Sequence, residues 1–316
     1  HLLFNQVEVG TLDAETTVGA ATYPAGSYVV DMHQPLRGLA NALLDVGYDI
    51  TEKVPSMYDV SAWSYSYLWG ASVDPVGVTT DPAIGAATPI QEPTPAAPAP
   101  QVRTATAFDL AGVADFRTLN DLLEAGGDAR MAPDGSVVVA AGSYAEAVAA
   151  AAAHEVDLRA ATPTEITAAG GEGGRTLADL TVGFTGTQDD TLSLTELGFD
   201  DLVPVTGAAI TADPSILDGL DLLWVGAPLG LTAGSAGDDA VQAWVDEGHS
   251  IVGRGTAGLA AAEAYGLVSA DAVTGTSSGN GIVALDTPGD SPLAPYAQDS
   301  SFIYPAVTFT DLGPET

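Results

Sequence analysis

The sequence contains no cysteine and only four histidines. Without cysteine there can be no disulfide bond, no thiolate nucleophile and no cysteine-ligated zinc. No histidine stands in an H-x-x-E or H-E-x-x-H arrangement, the spacing that places two zinc ligands on one helix face. The local signatures of a thiol or zinc hydrolase are therefore missing. We expect no catalytic residue, no metal ligand and no cofactor in this chain.

Basic residues and long apolar runs are also scarce. The chain has 8 Lys and Arg residues against 42 Asp and Glu, a net charge of −34 over 316 residues. A negative field of this size repels nucleic acid and anionic lipid, so we expect neither nucleic acid nor a membrane as a partner. No run of about 18 apolar residues is present to cross a bilayer. An acidic surface of this kind is typical of salt-tolerant or secreted proteins.

The first residues look like the interior of a longer protein. The sequence does not begin with Met, and residues 1–9 have the pattern of a helix end that runs into a strand. No signal-peptide pattern is present. We therefore expect the chain to be a fragment that starts inside a larger polypeptide.

A short internal repeat organises the first half. Residues 24–30 read P-A-G-S-Y-V-V and residues 133–139 read P-D-G-S-V-V-V, each a turn that enters a strand. An apolar helix end precedes each turn, and a helix follows it over 35–44 and 144–153. The predicted order of helix, strand, turn, strand, helix and strand thus occurs twice. We expect two small repeated α/β modules, at residues 1–74 and 102–168.

Two segments read as connections between domains. Residues 75–101 are rich in Pro and Ala, which favours an extended linker with polyproline II character. Residues 169–178 contain a glycine-rich stretch and are predicted to be a flexible joint.

The last part of the chain, residues 179–316, alternates strands and helices. Strands are predicted at 180–184, 202–205, 221–225 and 250–253, with helices at 192–198, 238–247 and 258–265 between or after them. This rhythm predicts an α/β domain with a doubly wound, mainly parallel sheet. Ligands of such sheets bind at the carboxyl ends of the strands. The candidate ligand-binding residues are therefore Thr185, Gly186, Thr187, Gly226, Ala227, Gly253, Arg254, Gly255 and Thr256.

The turn at residues 253–258 admits several interpretations. Gly253, Gly255 and Gly258 have the G-x-G-x-x-G spacing of a dinucleotide-binding turn, and the turn opens a helix whose free N–H groups suit an anion. The same glycines fit a tight strand-to-helix turn with no ligand. Thr256 is the candidate nucleophile if the chain is a hydrolase, although no His–acid pair in the sequence indicates its activation.

Other polar and aromatic residues are candidates for metal or carbohydrate binding. His33, His154 and His249 lie in separate modules, so they would form a zinc site only if distant segments met. The pairs Asp189-Asp190 and Asp200-Asp201 fit either Ca²⁺ binding or helix capping and solvated turns. An aromatic cluster is either a carbohydrate or peptide platform or a packing strap. Its members are Tyr58, Trp63, Tyr65, Tyr67 and Trp69.

Two segments resemble a known family. P-A-G-S-Y-V-V at residues 24–30 followed by Gln34-Pro35, and Y-D-V-S-A-W at residues 58–63, resemble the region after the catalytic domain in large secreted zinc carboxypeptidase-like proteins of the M14 family. That region continues into a class I glutamine amidotransferase-like, flavodoxin-like domain, as residues 179–316 do in layout. Gly255 stands where the amidotransferase turn has its cysteine.

The resemblance implies a function for the parent protein rather than for the chain. It implies a non-catalytic accessory or structural region of a secreted, extracellular metallocarboxypeptidase, with zinc only in an upstream peptidase domain that this chain lacks. That peptidase domain is the expected partner, and a peptide or carbohydrate ligand is a further expected partner. The alternatives are a small-molecule or carbohydrate-binding module and a cryptic hydrolase.

Overall fold

The computed structural model describes residues 1–47, 64–69, 71–78, 80, 84, 87–93, 99–101, 104–274, 281–289, 291, 293–303 and 306–313. The chain divides into two compact units, His1–Pro95 and Ala96–Thr316. Both are mixed α/β. Several sheets are antiparallel and one, in the second unit, is parallel.

The first unit is built on a three-stranded antiparallel sheet of order β4-β1-β5. A separate hairpin, β2-β3, lies between β1 and β4 in the sequence. The small core of the first unit contains Val7, Val9 and Ala40. The elements of this unit are β1 (Val9–Leu12), β2 (Thr16–Val18), β3 (Ala21–Tyr23), β4 (Tyr28–Val29), α1 (Arg37–Leu44), α2 (Tyr65–Trp69) and β5 (Ala87–Ile90).

Residues 104–178 of the second unit form a five-stranded antiparallel sheet of order β10-β7-β8-β6-β9 between helices. Helices α3 and α4 cover one face, where Leu122, Val137 and Val139 are fully buried, and α5 lies against Val138 on the other. The elements are β6 (Thr106–Phe108), α3 (Val113–Glu124), β7 (Ala129–Met131), β8 (Val137–Val139), α4 (Tyr144–His154), β9 (Arg159–Ala160), α5 (Pro163–Gly170) and β10 (Arg175–Thr176).

The rest of the second unit contains the parallel sheet, of order β12-β11-β13-β14. Two antiparallel pairs follow it, β15 with β18 and β16 with β17. The elements are β11 (Val182–Thr185), α6 (Gln188–Glu196), β12 (Leu202–Pro204), α7 (Gly207–Ala212), β13 (Leu222–Val225), α8 (Ala236–Asp246), β14 (Ser250–Gly253), α9 (Gly255–Ala264), β15 (Asp271–Thr274), β16 (Gly281–Ala284), β17 (Ser300–Ile303) and β18 (Val307–Thr310).

Helices contact both faces of the parallel sheet. Leu223 and Val225 point to one face, where they join a core with Ile210 of α7, Val241 of α8 and Ala261 of α9. Trp224, between them, points to the other face because side chains alternate along a strand. Its indole Nε1 lies 3.2 Å from the carboxylate of Asp190 in α6.

The predicted linker and joint contain strands that the sequence pattern does not indicate. Within 75–101, β5 pairs with β1 over four residues although it includes Pro89. Because β5 is an edge strand, a proline without an N–H group is tolerated there. Within 169–178, β10 pairs with β7 through Arg175 and Thr176. Both strands depend on pairing with a distant partner, which local composition cannot show.

Several predicted element boundaries change as well. Helix α6 begins at Gln188 rather than at 192, since Thr187 and Asp190 form a capping box there. The strand predicted after His154 begins only at Arg159, because Glu155 ends α4 in a left-handed conformation with φ 58°. Between β12 and β13 the chain forms α7 and then a short 3-10 helix, Pro214–Gly219.

The two Pro-x-Gly-Ser turns share two backbone hydrogen bonds. At the first turn, Gly26 N donates to Leu12 O and Leu12 N donates to Ser27 O, at 2.8 and 2.9 Å. At the second turn, Gly135 N donates to Ala132 O and Ala132 N donates to Ser136 O, both at 2.9 Å. Gly26 and Gly135 have φ of 85° and 90°. In the first unit, residues 13–23, with the β2-β3 hairpin, separate Leu12 from the turn.

The surroundings of the two turns also correspond. The strands before the two turns, β1 and β7, each follow a turn of the kind that ends a helix. In these turns Val7 N donates to Leu2 O, and Gly127 N donates to Leu122 O. The backbone N–H of Glu8 is bound by the side chain of Gln34, and that of Asp128 by Ser143. A third antiparallel strand then joins each pair, β5 beside β1 and β10 beside β7.

Candidate functional site

The carboxyl ends of β11, β13 and β14 lie at one edge of the parallel sheet. The chain leaves β11 for β12 on one side and returns to β13 on the other, so the strand order reverses between β11 and β13. Such a reversal is where open α/β sheets form a crevice. The carbonyl of Thr185 accepts hydrogen bonds here from the N–H groups of Gly226 and Ala227, at 2.7 and 3.2 Å.

Asp190 lies at the centre of this edge, between the ends of the three strands. Its side chain is 1% exposed, and it projects from the first turn of α6. Arg254, which follows β14, donates from Nε and Nη2 to its two carboxylate oxygens, both at 2.7 Å. Thr187 donates to Oδ2 from its backbone N and from Oγ1, at 2.7 and 2.9 Å, and Trp224 donates to Oδ1. Both oxygens of Asp190 are thus engaged by protein donors.

These contacts fix the charge of both partners. The Arg254 guanidinium, together with the backbone N–H of Thr187 and the Trp224 indole, holds the pKa of Asp190 far below its usual value, although burial acts in the opposite direction. The hydrogen bonds to Asp190 raise the pKa of Arg254. The pair is therefore ionised at any pH near neutrality. Asp190 has no proton to donate, and its lone pairs are shared among five donors.

Glycines on two sides give the carboxylate its space. A Cβ built at Gly186 would lie 2.8 Å from Asp190, and one at Gly226 would lie 2.4 Å from Asp190 Oδ1. Both distances are shorter than real carbon contacts, so residues with side chains would displace the ion pair. Gly186 and Gly226, two of the candidate ligand-binding residues, both lie against Asp190.

The turn from β14 into α9 is equally tight. Cβ atoms built at Gly253 or Gly258 would lie within 2.6 Å of the other glycine's backbone. Gly255 begins α9 with φ 59°, a conformation that L-residues with a side chain rarely adopt. Thr256 is exposed, and among the described residues no histidine or carboxylate is hydrogen-bonded to it.

The structure thus brings the predicted loops together around a residue that the ligand prediction omits. Thr187, Gly226 and Arg254 meet at Asp190, and Thr185, Ala227 and the glycine turn flank them. Asp190 and Trp224 are the two residues of this site that are not among the candidate ligand-binding residues. A signal for Asp190 exists in the sequence: Arg254 is one of only 8 basic residues against 42 acidic ones, so a carboxylate partner nearby is expected.

The remaining candidates lie apart from this site. His154 Nε2 lies 2.7 Å from Asp121 Oδ2, and the ring of His249 stacks on Trp244 with centroids 4.5 Å apart. His33 contacts Asp31 through Nδ1 at 2.6 Å. Within the described residues, no group of three or more His, Asp or Glu side chains is placed to hold a metal ion.

The two acidic pairs differ in their contacts, and only part of the aromatic cluster lies among the described residues. Asp190 is engaged by Arg254, whereas Asp200 and Asp201 are exposed and use their backbone carbonyls to accept from Leu202 and Val182. Tyr65 to Trp69 form α2, with the Tyr65 ring 5.8 Å from that of His1. Tyr58 and Trp63 lie outside the described residues.

A second concavity, of about 460 Å³, lies between α3 and α4. Four alanines of α4 line it, with the carboxylates of Asp121 and Glu146 at its border. It is shallow and acidic, and it contains none of the predicted site residues.

Comparison with known proteins gives no relative from which a function could be taken. No family profile matches the chain, and neither the curated proteins nor the solved structures contain a significant match. Among the described residues, no helix is both long enough and apolar enough to cross a bilayer.

Proposed function

We propose that this chain is a non-catalytic accessory region of a secreted, M14-type zinc carboxypeptidase-like protein. In this proposal residues 179–316 form a doubly wound, flavodoxin-like and amidotransferase-like domain that has lost its nucleophile. Residues 1–74 and 102–168 contain two copies of one small α/β module. The zinc and the catalytic residues belong to an upstream peptidase domain, which is the proposed partner.

Gly255 is the observation that carries the proposal. It stands at the strand-to-helix turn where the amidotransferase family has cysteine, and its positive φ is the kind of backbone conformation found at a nucleophile elbow. A glycine there keeps the turn and supplies no nucleophile. The neighbouring carboxylate, Asp190, is bound by Arg254 and cannot act as a general base.

The proposed fold rests on the strand order and on the matching turns. The order β12-β11-β13-β14, with helices on both faces, agrees with the first four strands of a flavodoxin-like sheet. The shared hydrogen bonds at Gly26 and Gly135, and the side chains that bind Glu8 N and Asp128 N, support one repeated module.

The proposal is tested by zinc analysis of the purified chain together with turnover assays on carboxypeptidase, ester, amide and glycoside substrates. We expect less than stoichiometric zinc and no turnover. Turnover that is abolished in Thr256→Ala would instead support the cryptic hydrolase and contradict the accessory role. Stoichiometric zinc with carboxypeptidase activity would contradict the proposal in a different way, because it would place a complete peptidase site in this chain.

Small-molecule or carbohydrate binding at the crevice is a second proposal. It is favoured by the Arg254 side chain, which remains 47% exposed while it holds Asp190. Its test is a thermal-shift screen of neutral sugars and small acids against the wild type and Arg254→Ala. A ligand that stabilises only the wild type supports binding at the crevice. Equal stabilisation of both proteins excludes Arg254 from the site.

A further inference from the structure

Helix α6 is held at both ends by other parts of the second unit. At its N-terminal end, Asp190 binds Arg254 and the Trp224 indole beside the parallel sheet. At its C-terminal end, α6 meets α3, which belongs to the antiparallel region that precedes it in the chain. The sequence predicts a flexible joint between these two regions, at residues 169–178, whereas the contact of α3 with α6 joins them directly.

Two side chains of α3 bind the C-terminal end of α6. Arg117 donates from Nε to the carbonyl of Glu196 and from Nη2 to its carboxylate, at 2.8 and 2.7 Å. Asn120 donates from Nδ2 to the carbonyl of Leu197 at 2.8 Å. The last carbonyls of a helix have no partner within the helix, so these donors cap α6 from another element.

The residues of α6 explain why its C-terminal end needs an external cap. The helix has nine residues and no basic residue in its last turn, and it ends at an acidic one, Glu196. A carboxylate at this end is repelled by the partial negative charge of the helix terminus, whereas a cation there is stabilising. Helices of this length are marginal without tertiary contacts. Arg117 supplies the missing cation, so part of the stability of α6 comes from α3.

Gly198 allows the close approach of the two helices. It follows α6 with φ 86°, and a Cβ built there would lie 3.1 Å from the Cα of Arg117 and 3.4 Å from the Cβ of Asn120. The turn is closed by a hydrogen bond from Phe199 N to Leu194 O at 3.1 Å, as is usual where a left-handed glycine ends a helix. The backbone of α3 therefore packs directly on the turn that ends α6.

We infer that α6 couples the two regions of the second unit. Arg117 and Asn120 are positioning residues, which fix the C-terminal end of α6 and thereby the place of Asp190 at the other end. The helix is a rigid rod of about 13 Å, so a displacement of one end moves the other. Coupling of this kind requires one element that both sites contact, and α6 is that element. The coupling does not depend on whether the sheet edge binds a ligand.

The test is the exchange of N–H groups with solvent, measured by NMR on the full chain labelled with ²H and ¹⁵N. In Arg117→Ala we expect the indole N–H of Trp224 and the backbone amide of Leu194 to exchange about tenfold faster, the effect of losing one charged hydrogen bond. The amide of Val138, in the core of the antiparallel region, should change by less than about twofold, because local opening leaves distant amides protected.

Two further arginine variants separate the cap from other effects of the substitution. Arg117→Lys keeps the charge but not the planar fork of donors, so it should restore part of the protection of the Trp224 indole. Arg159→Ala is the matched control, since it removes an arginine of the same region that binds Asp109 and Glu165. In this control the Trp224 indole should exchange as in the wild type.

Gly198→Asn tests the contact without changing a charge. Asn tolerates positive φ, but its Cβ would press on α3. The control is Gly248→Asn, because Gly248 follows α8 with φ 99° and no atom lies within 4 Å of a Cβ built there. We expect faster exchange of the Trp224 indole in Gly198→Asn and unchanged exchange in Gly248→Asn.

The other outcomes overturn the inference. Unchanged exchange of the Trp224 indole in Arg117→Ala or in Gly198→Asn means that the N-terminal end of α6 is held independently of α3. Faster exchange that extends equally to Val138 assigns the effect to a general loss of stability. An equal rise in Arg159→Ala or Gly248→Asn does the same, because neither residue contacts α6 through the bonds described above.

Discussion

At the scale of single residues, the second unit depends on one buried carboxylate. Asp190 is 2% exposed in a chain whose other acidic residues are mostly at the surface. A buried charge costs several kcal/mol unless donors compensate it. Asp190 has five, contributed by a loop, a strand and the residue after a second strand. The ion pair therefore joins three segments that are distant in the sequence.

Removal of the arginine should destabilise the second unit strongly. Arg254→Ala leaves Asp190 buried without its counter-charge, and we expect a loss of about 3 kcal/mol in the free energy of unfolding in urea. The control is Arg159→Ala, which breaks contacts to Asp109 and Glu165, whose side chains are 66% and 13% exposed against 1% for Asp190. It should cost about 1 kcal/mol or less. Similar losses in the two variants would show that the buried pair is no stronger than a surface one.

The stabilisation by Asp190 should vanish in acid. Because its pKa is lowered in the folded state, the protonated form is favoured in the unfolded chain, and stability falls as pH decreases. The contribution is fully present above the ordinary Asp pKa of about 3.9 and is lost as pH falls below it towards the lowered value. We expect the difference in unfolding free energy between wild type and Asp190→Asn to be constant from pH 6 to 8 and to shrink below about pH 4. A difference that stays constant down to pH 2 would contradict the assignment.

At the scale of elements, the packing of α9 on β14 depends on two glycines. Gly253 and Gly258 place helix and strand backbones in direct contact. Gly258→Ala would put a Cβ 2.3 Å from the carbonyl carbon of Gly253, so the helix must shift. We expect a loss of about 2–3 kcal/mol in the free energy of unfolding.

Gly219→Ala provides the matched control for this prediction. Gly219 lies in the same unit, in open space and without positive φ. Alanine there should be neutral or slightly stabilising, because it reduces the entropy of the unfolded chain. Chemical denaturation of both variants measures the difference, and equal effects would refute the close contact.

The sequence patterns predict some of the helices and strands and miss others. The strands β11, β13 and β14 are predicted within two residues, because each is a short apolar run between turn residues. The start of α6 is missed by four residues, since the capping role of Thr187 and Asp190 depends on side-chain geometry. Strands β5 and β10 are missed because only their pairing with β1 and β7 makes them strands.

At the scale of the whole molecule, charge dominates the behaviour in solution. The acidic side chains, which give a net charge of −34, repel one another and weaken the folded state at low ionic strength. The range of this repulsion falls from about 30 Å at 0.01 M salt to about 3 Å at 1 M. We expect the thermal midpoint to rise as NaCl is increased over this range, measured by circular dichroism.

The control for this salt effect is pH. Near the sequence pI of about 4.1 the net charge approaches zero, so the dependence on NaCl should largely disappear. If the midpoint rises equally at both pH values, the stabilisation comes from a general effect of salt on apolar hydration and not from screening of the acidic surface.

The sequence by itself determined the local features of this protein. The glycine turns, the alternation of strands and helices, the acidic charge and the convergence of strand ends at one sheet edge follow from residue type and spacing. Only the tertiary structure decided what fills that edge. Asp190 and Arg254 are 64 positions apart, so their pairing depends on the parallel register of β11, β13 and β14. The same holds for the two turns: their residues are nearly alike, and only the packing of Tyr296 on one of them makes them different.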